Sequence, residues 1–243
     1  MEDYQKKFVR LLADSGALFF EDGLKLKDER PTPYLVNIGN ISNNAYFARE
    51  LGNAYARMIY NEIEKGLEIT TLFGPAYKGI PISTNTQRSL LDNYEINLGV
   101  VFDRKKEKTH GEGSKERNLF VGNFPKYAKI YIVDDVLTSA KTKLDILEKI
   151  VAYSEEHKRE DISIVGLGVG LDRQQINLEE RNSVEEFTEK TGIIIDSIIG
   201  AREAIDFLHV SRRPLMIDGK MQKMSPNIYK NFQEYMNKYG VKQ

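Results

Sequence analysis

Cysteine and tryptophan are both absent from the 243 residues, and histidine occurs only three times. Without cysteine the chain has no disulfide framework, no thiolate metal site and no cysteine nucleophile. That composition fits a reducing compartment, and a cytoplasmic protein is expected. The histidines, His110, His157 and His209, have no spacing that resembles a metal site, so any metal is expected on carboxylates and ligand phosphates. Long apolar runs are missing too. The most apolar stretch, Ile193 to Ile199, contains Asp196 and is too short to span a bilayer. Met1-Glu2-Asp3-Tyr4-Gln5 leads into an amphipathic pattern rather than a signal core, so no membrane association is expected. Charge of one sign is also lacking: 35 Lys and Arg oppose 36 Asp and Glu, for a net charge of −1. A general nucleic-acid coat protein would show a basic excess, so no nucleic-acid partner is expected. No GxSxG elbow, Walker A sequence or GxGxxG turn occurs.

What is present is a rhythm. Tyr4, Phe8, Leu11 and Leu12 recur at helical spacing up to Gly16. Residues 17–30 read as short strands or a hairpin, and Tyr34 to Ile38 as a strand after Pro31 and Pro33. Ser42-Asn43-Asn44 can cap a long helix carrying Phe47, Leu51, Ala54, Met58 and Ile59. Strand-like runs then follow at 69–73, 98–102, 129–133, 162–171 and 193–199, with helical patterns at 80–91, 140–157 and 182–191. This alternation predicts an α/β fold: a parallel sheet with helices on both faces and ligand loops gathered along one edge. Gly166, Gly168 and Gly170 fall inside a strand pattern and read as close packing, not as a dinucleotide loop. Beyond 211 a polar tail has a helical pattern near 227–239, expected as an appended helix.

Three loops carry candidate chemistry. In Ile130-Tyr131-Ile132-Val133-Asp134-Asp135-Val136-Leu137-Thr138-Ser139-Ala140-Lys141-Thr142, a buried strand delivers paired carboxylates and a hydroxyl-rich turn opens a helix. Backbone N–H groups at such a helix start cradle phosphate, whereas the acids suit sugar hydroxyls, a divalent cation or developing positive charge. In Thr71-Leu72-Phe73-Gly74-Pro75-Ala76-Tyr77-Lys78-Gly79-Ile80-Pro81, Lys78 sits at a strand-to-helix turn aimed at the sheet edge. Residues 103–118 lack periodicity and hold Arg104, Lys105, Lys106, Lys108, Lys115 and Arg117 with His110, and with Gly111 and Gly113 for flexibility, a lid able to close over a polyanion. Each loop alone also has an ordinary reading, as a capped helix, a connecting turn or a solvated charge run.

Together they resemble the type I phosphoribosyltransferases. The Gly-Pro-Ala-Tyr-Lys-Gly-Ile-Pro run and the Arg-Lys-x-x-Lys-x-His-Gly-Glu-Gly loop look specifically like the orotate phosphoribosyltransferase family. Leu171-Asp172-Arg173-Gln174 and the stretch from Lys25-Leu26-Lys27 to Pro33-Tyr34 add further matching segments, so the resemblance runs from about 4 to about 210. It implies a parallel sheet flanked by helices with a small N-terminal hood: hood and helices over 1–65, α/β core over 66–210 and a C-terminal helical extension over 211–243. It also implies transfer of ribosyl 5-phosphate from 5-phosphoribosyl 1-diphosphate (PRPP) to orotate. Mg²⁺ would be carried by the diphosphate, and a homodimer would share basic loops between sites. Lys27, Tyr77, Lys78, Arg104, Lys105, Lys108 and His110 would surround PRPP, with Lys108 and His110 acting at the leaving group or as proton donor. Asp134 and Asp135 would hold the ribose, and Val136, Leu137, Thr138, Ser139, Ala140, Lys141 and Thr142 would carry the chain around its 5-phosphate. Leu35, Val36, Thr138 and Arg173 would face orotate.

The chain departs from the pattern at Ala140, where glycine is usual, at Lys141, where a small hydroxyl residue is usual, and at Leu35 and Val36, which offer no aromatic surface. Residues 114–120 and 153–160 read as insertions. Two alternatives stay open at this point: a phosphoribosyltransferase for another base, and a non-catalytic regulator that binds PRPP.

Overall fold

The computed structural model describes residues 1–105, 119–137 and 140–242, with the backbone alone for 140–142. Its centre is a six-stranded sheet in the order β5-β4-β3-β6-β7-β8. These strands are β3 (Thr71–Phe73), β4 (Gly99–Asp103), β5 (Phe120–Val121), β6 (Lys129–Leu137), β7 (Ser163–Asp172) and β8 (Ile195–Gly200). All pairs are parallel except the edge pair β4–β5. Residues on β6 alternate between two apolar layers. Tyr131 and Val133 join the layer under α2 (Ala45–Glu64) and α3 (Gly79–Tyr94), and Ile130 and Ile132 the layer under α4 (Ala140–Glu156) and α5 (Ser183–Thr191). A strand buried on both faces needs this continuous apolar run, which is why it stands out in the sequence.

Two local signals set the long helices. Asn44 accepts hydrogen bonds from the N–H groups of Tyr46 (2.8 Å) and Phe47 (3.3 Å), starting α2 where the Ser-Asn-Asn cluster predicts. Ser225 accepts from Ile228 N–H, with Pro226 in the first turn, to start α7 (Pro226–Tyr239). On β7, Gly168 and Gly170 admit the rings beneath them. A Cβ would lie 2.9 Å from the Tyr131 hydroxyl at Gly168 and 2.8 Å from the Tyr55 hydroxyl at Gly170. The close-packing reading of those glycines therefore holds.

The structure differs from the sequence reading in three places. β6 does not stop at Val133: pairing with β7 continues through Asp134–Val169, Val136–Leu171 and Leu137–Asp172, so the acid pair rides on the strand itself. Residues 201–211, given no element from sequence, form α6 (Ala201–Ser211), which buries Ala204, Ile205 and Leu208. The segment beyond 210, expected to add only a helix, also supplies β9 (Leu215–Ile217) and β10 (Lys220–Gln222). Asp218 and Gly219, both at positive φ, form the tight turn between them. These strands join β1 (Leu18–Phe20) and β2 (Tyr34–Val36) in a second sheet of order β10-β9-β1-β2. The hood is thus built from both ends of the described chain, above α1 (Asp3–Asp14).

Strand order reverses beside β3: the chain moves outward to β4, then returns to place β6 on the other flank. The loops after β3 and β6 therefore diverge over a crevice at the C-terminal strand ends, where ligands bind in open α/β sheets.

Candidate active site

Asp134 and Asp135 occupy the end of β6. One oxygen of Asp134 accepts the N–H of Asp135 (2.8 Å), and the other pairs with the amine of Lys143. Lys143 is 3% exposed, from the first turns of α4. Tyr55 donates its hydroxyl to the backbone carbonyl of Asp134 at 2.7 Å. Burial, with the charges of Asp135 and Asp134 adding to it, pushes the Tyr55 phenol well above its ordinary value, so it stays a donor. Asp135 accepts Val136 N–H on one oxygen and the Lys78 amine on the other, each at 2.8 Å. Both acids are thus aimed by backbone and each carries a lysine. Val136 and Leu137 turn their side chains into the core, leaving only their backbone for a ligand.

The loop holding Lys78 is closed on itself. Gly79 N–H donates to Pro75 O at 2.9 Å, and a Cβ at Gly79 would lie 2.5 Å from Pro75 Cδ. Gly74 N–H reaches Val101 O at 3.0 Å, tying the loop to β4. Buried Asp103 adds a second tie, accepting Ala76 N–H at 2.6 Å and the Lys149 amine at 2.7 Å. Tyr77 is exposed, and the Lys105 amine lies 5.9 Å from its ring centroid. Arg104 donates its backbone N–H to Leu119 O, while its Nε is buried without a partner among the described residues.

On the hood side Arg173, only 2% exposed, follows β7. Its Nη2 donates to Thr32 Oγ1 (2.9 Å) and Tyr34 O (3.4 Å), and its Nε to Gln175 Oε1 (3.2 Å). The guanidinium carbon also stands 4.1 Å over the Tyr34 ring. Every one of these partners is neutral, so the buried charge has no carboxylate against it among the described residues, an arrangement suited to an anionic ligand. Burial raises the Tyr34 phenol to about 12, with Arg173 pulling the other way. Leu35 and Val36 are half-buried on β2 beside it. Lys27 is exposed in the turn before Arg30, with no side-chain hydrogen bond or ion pair among the described residues.

The structure therefore brings Lys78 to Asp135 and surrounds the same crevice with Tyr77, Lys105 and Asp134. Lys108, His110, Thr138 and Ser139 lie outside the described residues, as do the side chains of Ala140, Lys141 and Thr142. The backbone of 140–142 opens α4, with residues 138 and 139 between it and the end of β6, so the helix starts on the strand-end side of the sheet. Sequence reasoning missed Lys143, Tyr55, Asp103, Lys149, Thr32 and Gln175. A cavity of about 510 Å³ lined by Tyr4, Arg57, Lys65 and Asp196 lies beside the start of β8, and none of the expected site residues lines it. Among the described residues no group of three His, Cys, Asp or Glu could hold a metal ion. No described helix is long and apolar enough to cross a membrane.

Comparison with known proteins follows the same lines. Residues 42–201 match the phosphoribosyl transferase domain family. The orotate phosphoribosyltransferase of Nitrosococcus oceani is 34% identical over 243 residues, covering 99% of this chain and 97% of that protein. Its counterpart from Pseudomonas syringae pv. tomato is 32% identical over 208 residues, covering 86% of this chain and 90% of that protein. Among solved structures, the orotate phosphoribosyltransferase of Francisella tularensis superposes with a TM-score of 0.70 at 22% identity, covering 96% of this chain and 99% of that one.

Proposed function

This chain belongs to the orotate phosphoribosyltransferases within the phosphoribosyl transferase domain family, and from that membership we propose its reaction: PRPP and orotate give orotidine 5′-monophosphate and diphosphate. The bond from the ribose anomeric carbon to the diphosphate oxygen breaks, a bond from that carbon to the orotate ring nitrogen forms, and the proton of that nitrogen is released. The step serves pyrimidine nucleotide synthesis.

The observation that carries the transfer chemistry is the Asp134–Asp135 pair on β6, facing Lys78 of the β3 loop across the point where strand order reverses. Bond breaking builds positive charge on the sugar and negative charge on the diphosphate, so a useful site places acids by the first and cations by the second. The acids suit the ribose hydroxyls and a cationic ring. Lys78 and the basic segment that begins at Arg104 and Lys105 and continues to Lys108 and His110 suit the departing diphosphate, with Tyr77 and Lys27 beside it. The α4 start, with Thr138, Ser139 and the backbone of 140–142, suits the 5-phosphate. Arg173, held by neutral partners, suits the orotate carboxylate, with Leu35 and Val36 flanking the ring.

The donor set fits magnesium delivered on the substrate's own phosphates, because each acid already accepts a lysine and a backbone N–H. When bound, magnesium supplies charge neutralisation to the diphosphate oxygens. The working unit in this reading is a cytoplasmic homodimer whose basic loops reach into each other's sites.

Diphosphate release measured with orotate, uracil and hypoxanthine in parallel tests the assignment. Release with orotate alone is expected, and release with either other base but not with orotate would overturn it.

A further inference from the structure

The segment 226–241 lies far from the acid pair in sequence and carries none of the family's loops. It nevertheless ends against the loop that follows Arg173. Ile176 N–H donates to Tyr239 O at 3.0 Å, and Val241 N–H donates to Gln174 O at 2.8 Å. Between them Gln175 and Gly240 form an antiparallel bridge. Further contacts fasten the same seam. Gln175 Nε2 lies 3.9 Å from Met236 Sδ, while its Oε1 accepts from Arg173 Nε. Arg202 Nη2 donates to Met236 O at 3.0 Å and to Val241 O at 3.5 Å, and its backbone N–H reaches Gln174 Oε1 at 2.9 Å. Arg30 Nη1 donates to Ile176 O at 2.6 Å. The α7 face then closes the back of Tyr34: Phe232 and Tyr235 meet its ring edge-on, with centroids 5.6 and 6.3 Å away.

Resting on the reaction assigned above, we infer that α7 and residues 239–241 form a clamp that positions Arg173 for the orotate carboxylate. A buried guanidinium with only neutral partners has no ion pair to fix its direction, so its aim depends on Thr32, Tyr34 and Gln175. Gln175 is in turn held by a bridge to Gly240 and by Met236. None of the hydrogen bonds that fasten the clamp involves β6 or the β3 loop, so it acts on the base and leaves the PRPP contacts alone.

Two substitutions test it, neither in the binding machinery. Gly240→Ala adds a Cβ that would collide with Met236 O and the Arg202 guanidinium, forcing the seam apart. Arg202→Met removes both Nη2 bonds and introduces no clash. In each variant the KM for orotate is expected to rise about tenfold, while the KM for PRPP stays within about twofold. Thermal denaturation confirms that the variant is folded, and if Gly240→Ala fails to fold, Arg202→Met decides alone. Unchanged constants in folded variants would overturn the clamp, as would an equal rise in both KM values. Absence of orotate turnover in the unaltered protein would instead overturn the assigned reaction, so the two failures are separable.

Discussion

Gly79 follows Lys78 directly and offers a perturbation whose size can be worked from the fold. A Cβ there would stand 2.5 Å from Pro75 Cδ and 2.7 Å from Gly74 C, against 3.4 Å or more for ordinary contact. Gly74 C is backbone and Pro75 Cδ belongs to a ring closed on the backbone nitrogen, so neither can swing away and Gly79→Ala must open the 74–79 loop by about 1 Å, the shortfall in that contact. Two consequences follow. Overpacking of this kind costs about 1–3 kcal/mol. At about 2–4 °C per kcal/mol for a chain of this size, Tm is expected to fall by roughly 2–12 °C. Displacing a substrate-positioning group by about 1 Å can cost on the order of 100-fold. Since the loop also carries the Lys78–Asp135 pair, kcat/KM for PRPP is expected to drop about 10- to 100-fold at a temperature where the variant is fully folded. Initial rates with PRPP varied at saturating orotate measure this. Wild-type kcat/KM together with an unchanged Tm would show that the loop yields freely, and the account of how Lys78 is held would be wrong.

Lys143→Met leaves Asp134 without its buried cation and is expected to cost about 3 kcal/mol in urea unfolding. Adding Asp134→Asn should recover part of that loss, and strictly additive losses would mean the pair is not coupled. Asp172 is pushed above its ordinary value of 3.8, chiefly by burial. The folded state thus holds that proton more tightly than the unfolded chain. The penalty is absent below the unfolded value, grows as pH rises through the folded value and is full above it. Asp172→Asn, which keeps an acceptor for Gln174 N–H, should therefore raise Tm at pH 7 and do so less on acidification; a pH-independent change would contradict this. Mixing Lys108→Ala with Asp135→Asn protein should restore some activity if basic loops reach across a dimer, whereas activity no greater than the separate variants would refute sharing.

How much of this was legible beforehand depends on the range of the interactions involved. The acid pair, Lys78 and Arg173 announce themselves because each comes shortly after an apolar run, and such runs are local features of the sequence. The parallel core could be read for the same reason. Lys143 could not be read, since its burial depends on how α4 is rotated against β6, and in sequence it is one lysine among several in a helical pattern. Asp103 looked like the start of the basic loop, whereas pairing with Phe120 makes it the last residue of β4, turned inward to Ala76 and Lys149. The β9–β10 hairpin did carry a local cue, Asp218-Gly219 after alternating Leu215 and Ile217, but two three-residue strands are too short to set a rhythm. β1, the partner of β9, lies about two hundred residues away, and only the folded hood makes that pairing visible.

The central claim is the transfer of a phosphoribosyl group to orotate. Its most direct test follows orotate absorbance after PRPP and Mg²⁺ are added to the purified protein, with the product identified chromatographically. The account predicts loss of the orotate signal with stoichiometric orotidine 5′-monophosphate and diphosphate. A constant orotate signal in a mixture where the protein converts uracil or a purine would contradict it.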